Sequence, residues 1–211
     1  MPTVVIGLTG GIACGKSTIA TLLKRMGAVI IDADKESKRL LNPNSPTWKS
    51  LVKEFGAGIL NPDQSINRRK LGNMVFGNTE LLAKLNSITH PGVVKAISEK
   101  IKRYKDEARW PAIVLDVPLL YEVGAEKLAD VVWVVSVDQK TQIDRLMNRD
   151  KMDYAQALQR IEAQMPLAEK EARADAVIYN TGTRRQTREA VLELWQKYVD
   201  EKHLLGNDTV N

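Results

Sequence analysis

Apolar positions along this chain follow two alternating rhythms. Residues 3–9 (TVVIGLT) form a short apolar run ending in glycines, the pattern of a buried strand. Behind it Ile19, Leu22, Leu23 and Met26 recur at helical spacing, and Gly27 offers a C-terminal stop. Apolar runs at 28–31, 112–117 and 130–137 predict a second, third and fourth strand, and 176–179 a short fifth. Val191, Leu192, Leu194, Trp195 and Tyr198 give the final helix a broad core-facing stripe. The alternation predicts an α/β fold with a parallel sheet flanked by helices.

Between the second and third strands the rhythm changes. Over 34–108 the pattern predicts helical pieces broken at Asn42-Pro43, Gly56-Ala57-Gly58, Asn61-Pro62 and His90-Pro91. Leu81, Leu82, Leu85 and Ile88 form one apolar face there; Val94, Ile97, Ile101 and Tyr104 form another. This reads as a helical insertion that handles a second substrate. A polar helical stretch over 148–173, with few large apolar residues, has the character of a mobile lid. The expected organisation is therefore a core of 1–33, 109–147 and 174–211, a helical domain over 34–108 and a lid over 148–173.

Composition narrows the partners. The 211 residues suit one compact unit with insertions, and 44% hydrophobic content excludes a disordered chain. The longest apolar stretches are too short to span a bilayer, and the N-terminus has no signal-peptide pattern. A single cysteine permits no internal disulfide, which fits a cytoplasmic protein. The net charge of +5 calls for anionic partners. No basic run exceeds Arg68-Arg69-Lys70, and no zinc spacing or helix-turn-helix pattern stands out, so small polyphosphates are expected rather than nucleic acid. Nothing points to a membrane or to an obligate protein partner.

The strongest chemical signal is Gly10-Gly11-Ile12-Ala13-Cys14-Gly15-Lys16-Ser17-Thr18, a Walker A pattern placed after a strand and opening a helix. Glycines let the backbone curl so that N–H groups face phosphate oxygens, and the helix N-terminus adds partial positive charge. Lys16 is placed to reach the β- and γ-phosphates of ATP, and the Ser17 hydroxyl to ligate Mg²⁺. Cys14 sits among the same groups, which favour a reactive thiolate; an inert thiol filling the place of serine is the alternative. No Asn-Lys-x-Asp guanine-reading motif is present.

Carboxylates and arginines supply the remaining candidates. The second strand ends in Ile31-Asp32-Ala33-Asp34, where strand ends of a doubly wound sheet converge on a nucleotide crevice. One of the two aspartates is expected to act chemically, as a base or near Mg²⁺; the alternative is a helix cap. Asp116, at the end of the third strand, is a candidate Mg²⁺ ligand or simply the start of a turn before Pro118. Arg145 and Arg149 stand four apart on one helix face, able to clamp polyphosphate or to pair with Asp144 or Asp150.

These motifs, in order over roughly residues 5–182, resemble the dephospho-coenzyme A kinase family. The series comprises the Leu8–Thr18 stretch, Ile31 to Asp34, Phe55-Gly56, Arg68 with Leu71, and His90-Pro91. It continues with Val117 to Glu122, then Gln142, Arg145 and Arg149, and closes with Ala174-Asp175 through Asn180 and Gly182. The resemblance implies a P-loop NTPase-type fold with a helical substrate-binding insertion and a helical lid. The implied reaction carries the γ-phosphoryl of ATP, with Mg²⁺, to the ribose 3′-hydroxyl of dephospho-coenzyme A, completing coenzyme A. It implies Asp34 as base, and Lys16, Arg145 and Arg149 as catalytic partners. Gly11 to Thr18, Asn180 and Gly182 would bind nucleotide, and Arg68, His90 and Leu120 the acceptor. Ala13-Cys14 replaces the usual Gly-Ser, and Gln64 and Asn67 replace acidic or glycine residues common before the arginine. Another small-molecule kinase, or a non-catalytic nucleotide switch, would share the P-loop without the rest of the series.

Overall fold

The computed structural model describes residues 3–75 and 77–202; the ends of the expected core, 1–2 and 203–211, lie outside the described residues. Five strands form one sheet: β1 (Val4–Gly10), β2 (Val29–Asp32), β3 (Ala112–Asp116), β4 (Val131–Ser136) and β5 (Ala176–Tyr179). Their order is β2-β3-β1-β4-β5, and β1 pairs in parallel with both β3 and β4. Each predicted strand is found within a residue or two of its expected place, because these runs are predominantly apolar and bounded by turn residues.

The chain divides into two compact units, Met1–Ile31 with Lys100–Asn211, and Asp32–Glu99. In the first, helices α1 (Lys16–Arg25) and α9 (Arg184–Trp195) cover one face of the sheet. Ile6, Leu8, Ile19, Leu23, Trp133, Ile178, Val191 and Trp195 are buried together there. Side chains of this size contribute about 1.5–3 kcal/mol each when fully buried. Strand register is also pinned by side chains: the Asp130 carboxylate accepts from Val5 N (2.9 Å), and the Asp175 carboxylate from Val132 N (2.7 Å).

After β4 the chain enters α6 (Gln139–Asp150), capped by Asp138, then α7 (Tyr154–Glu162) and α8 (Leu167–Ala172). Asp153 and Gln156 make a reciprocal capping box at the start of α7. Polar as this region is, buried Ala157 packs with Ile143 and Leu146, and Leu158 and Ile161 join them.

The second unit contains α2 (Ala33–Leu40), α3 (Pro46–Phe55), α4 (Arg68–Val75) and most of α5 (Thr79–Glu107). Leu51, Phe55, Ile59, Ile66, Leu71 and Val75 form its core. Asn67 caps α4 by accepting from Lys70 N (3.0 Å), a task Asn performs as well as Asp, so the asparagine at this position leaves the cap intact. The expected break at His90-Pro91 is corrected: α5 runs through Pro91 as one helix of 29 residues. Proline removes one intrahelical hydrogen bond. Contacts on both sides hold the helix across it, with Leu85 and Ile88 against the core before it and Gly92 close against Thr47 and Leu40 after it.

Candidate active site

The loop joining β1 to α1 is bent by two left-handed residues, Ala13 (φ 62°) and Gly15 (φ 88°). Left-handed residues alternating with their neighbours turn successive N–H groups into an anion-binding concavity. The loop lines a cavity of about 540 Å³ together with Pro118, Arg145, Arg149 and Gln164. Alanine at the first left-handed position is strained by about 1 kcal/mol or more, where glycine would not be.

Lys16 forms an ion pair and hydrogen bond with Asp116, whose strand is paired to β1 with Asp116 opposite Leu8. The lysine of the loop and the carboxylate at the end of β3 are thus brought together. Ser17 follows Lys16 in the first turn of α1 and lines the same cavity. Thr9 Oγ1 donates to the Pro118 carbonyl (3.0 Å), fixing the turn after β3 beside the loop.

Arg145 and Arg149 both line the phosphate-loop cavity, as their spacing on α6 predicts. Arg145 is half-buried and donates from Nη2 to the Asn180 carbonyl (2.9 Å). Arg149 is exposed and grips Asp150 through two hydrogen bonds, 2.7 and 3.1 Å. Asp150 also pairs with Arg160 (3.1 Å). The hydrogen-bonded guanidinium holds the Asp150 carboxyl below its usual range. The carboxylate pairing and the cavity-facing position coexist at Arg149.

Of the two readings of Cys14, burial favours the inert thiol. The residue is fully buried, and burial pushes its thiol up to about 11. Backbone hydrogen bonds from Val137 and Gly11 and the charge of Arg145 act the other way and are outweighed. Leu120, expected to touch the acceptor, is fully buried and lies where a side chain on Gly7 would meet it. It is a core residue of the first unit. Asn180 donates from Nδ2 to the Cys14 carbonyl (2.9 Å) and accepts at Oδ1 from Thr187 (3.0 Å). Gly182 is exposed and sits just before Thr183, the cap of α9.

Two loop partners were missed. Gln142, 4% exposed, donates from Nε2 to the Ile12 carbonyl (2.9 Å), and Gln164 accepts from Ile12 N (3.0 Å). The motif that carries Arg145 and Arg149 contains Gln142, so a signal for it existed; Gln164 stands in no motif.

In the second unit, Asp32 is the N-cap of α2, accepting from Lys35 N (3.0 Å) and pairing with Lys35 Nζ (3.3 Å). Asp34 lies in the first turn, exposed, and takes no part in that cap. Arg68 opens α4 and is exposed. His90 is half-buried within α5, and burial lowers its pKa from the usual imidazole value.

A parallel sheet with this strand order, a glycine-bent loop ahead of a lysine-led helix and two arginines over the loop define a P-loop kinase. The fold agrees: a shikimate kinase from Acinetobacter baumannii superposes with a TM-score of 0.53 at 15% identity, covering 95% of each chain. A sequence model described as dephospho-CoA kinase matches residues 4–186. A Carboxydothermus hydrogenoformans dephospho-CoA kinase is 48% identical over 195 residues, 92% of this chain and 94% of that one. One from Geobacter metallireducens is 42% identical over 197 residues, 93% and 98% of the two chains. The solved dephospho-CoA kinase of Campylobacter jejuni has a TM-score of 0.71 at 28% identity, covering 94% of this chain and 98% of its own. The chain belongs to the dephospho-CoA kinase family.

Proposed function

We propose that this chain transfers the γ-phosphoryl of ATP to the ribose 3′-hydroxyl of dephospho-coenzyme A, giving coenzyme A and ADP. The observation that carries the reading is the cavity formed by the phosphate loop with Arg145 and Arg149, in a chain matched to this family over residues 4–186. Loop N–H groups and the N-terminus of α1 hold the polyphosphate. Lys16 leaves Asp116 to reach the β- and γ-phosphates, and the arginines offset charge on the transferring group.

The donors suit Mg²⁺, a hard cation that takes few protein oxygens and keeps several waters. The Ser17 hydroxyl and the Asp116 carboxylate would hold it, and when bound it neutralises charge on the phosphates. Asp34 is the proposed base for the acceptor hydroxyl. Supporting it are the family match, its place two residues past β2, and the capping work that occupies Asp32 instead. Arg68 and His90 are proposed to meet the acceptor, residues 148–173 to act as a lid, and Gly182 and Asn180 to flank the adenosine end. The one cysteine, reduced and buried, accords with a cytoplasmic enzyme; among the described residues no helix is long and apolar enough to cross a membrane.

The test incubates pure protein with Mg-ATP and dephospho-coenzyme A, adenylate, uridine or shikimate in parallel. Transfer to dephospho-coenzyme A at the 3′ position is expected. Preferred transfer to another acceptor, or ATP binding with no transfer to any, overturns the reading. Asp34→Asn should lower turnover by about a hundredfold, the lower end for acid–base catalysis, because the loose transition state needs little help from a base. Its ATP affinity should stay unchanged in calorimetry; a large loss there would make Asp34 a metal ligand instead.

A further inference from the structure

The phosphate loop is gripped by side-chain amides from outside its own cavity. Gln142 lines a neighbouring cavity of about 500 Å³ behind Gly11, and Asn180 lines another of about 480 Å³ beside Thr18. Each donates to one loop carbonyl, Gln142 to Ile12 and Asn180 to Cys14, both at 2.9 Å. In a trans peptide the carbonyl and the following N–H point in opposite directions. Tying down the Ile12 carbonyl therefore turns Ala13 N–H the other way, and tying down the Cys14 carbonyl does the same for Gly15 N–H. These are the two residues whose left-handed φ bends the loop. A flip of either peptide would aim a carbonyl dipole at phosphate oxygens and withdraw a donor.

The glycines record how close the grip is. A Cβ on Gly11 would overlap the Gln142 amide nitrogen, and one on Gly15 the Asn180 amide nitrogen. Gln142 is buried with its donor satisfied by this carbonyl, and Asn180 is itself steadied by Thr187 and by Arg145 on its own carbonyl. We infer that Gln142 and Asn180 are positioning residues that orient the peptides of the phosphate loop so that Ala13 and Gly15 present their N–H groups to the polyphosphate. The inference rests on the nucleotide-binding part of the proposed function, and not on the identity of the acceptor. Neither residue touches the transferring group; Gln142 acts through the loop alone, and Asn180 does so besides its proposed place at the adenosine end.

The test compares Gln142→Met, which keeps length and removes the donor, with Gln142→Glu, which sets a carboxylate against the carbonyl. Affinity for ADP by calorimetry is read without any acceptor, beside melting temperature and the two substrates' KM values. Gln142→Met should bind ADP about tenfold more weakly, the upper range for one lost hydrogen bond, and Gln142→Glu more weakly still. KM for ATP should rise in both while KM for dephospho-coenzyme A stays unchanged. A purely structural role would lower the melting temperature and leave the affinity of the folded protein alone, which overturns the inference. If Gln142→Met fails to fold, the isosteric Gln142→Glu puts the same question by itself. A parent chain that binds no ADP defeats the functional reading itself; variants that bind as the parent does defeat only the clamp.

Discussion

Lys16, which lines the phosphate cavity, pairs with Asp116, their side chains 16% and 17% exposed. In the proposed function the lysine, a point charge, would exchange this carboxylate for phosphate when nucleotide arrives. Lys16→Met should fold and lose about 3 kcal/mol of transition-state stabilisation, roughly a hundredfold in rate. A folded variant with half the parent turnover would refute the assignment. Cys14 shows why sequence neighbours alone left two readings open. Loop N–H groups and a nearby cation favour a thiolate, but the thiol is turned inward, and loss of water outweighs them. With a pKa of about 11, only about one part in a thousand is thiolate at pH 8. Alkylation of the native protein should therefore be slow at pH 8, with or without ATP, and speed up toward pH 10 and above. The folded value lies above the ordinary 9.0, so the buried thiol stabilises fully below about pH 9 and that contribution is lost as pH rises toward 11. Rapid labelling at pH 7 that ATP blocks would contradict this.

Among the elements, α8 owes its place to a charge. Lys170 is fully buried and pairs with Glu122 (2.8 Å) while donating to the Pro118 carbonyl (3.0 Å). Glu122 also accepts from Met165 N (3.2 Å), so the turn after β3 and the segment entering α8 are bolted together. Removing the lysine strands a carboxylate that is only partly solvated. Lys170→Met should cost about 3 kcal/mol of stability in chemical denaturation, near the low end for a broken buried pair. An unchanged unfolding midpoint would show that the pair contributes nothing. The strands were legible in the sequence because a short, predominantly apolar run bounded by turn residues suits a buried strand and little else. Lys170 was not: a lysine in a polar helical stretch reads as solvent-facing until its burial is seen. Pro91 misled for the opposite reason, since its local signal is strong and the packing of Gly92 and Ile88 on either side overrides it.

For the molecule as a whole, the two units differ in how readily they can be read. The loop, its lysine and the paired arginines sit in one α/β unit, so their convergence followed from the strand–loop–helix pattern and helical spacing. What did not follow was the role of the outer amides: Gln142 stood in a motif that did not tell of its bond to a loop more than a hundred residues away, and Gln164 stood in none. Arg145 and Arg149 face one cavity yet hold different partners, the Asn180 carbonyl and Asp150. If both grip one polyphosphate, Arg145→Ala and Arg149→Ala should each slow transfer, and the double variant should lose less than the sum of the two. Strictly additive small losses in kcat/KM would make them independent surface residues.

The left-handed alanine and the two tethered carbonyls carry a thermodynamic consequence. A phosphate loop already held in its working shape has little conformational freedom to surrender when nucleotide arrives. The cost of shaping it was met during folding, partly as backbone strain at Ala13. Nucleotide association should then carry only a small entropic penalty from this loop, and whatever ordering calorimetry detects must come from other parts of the chain.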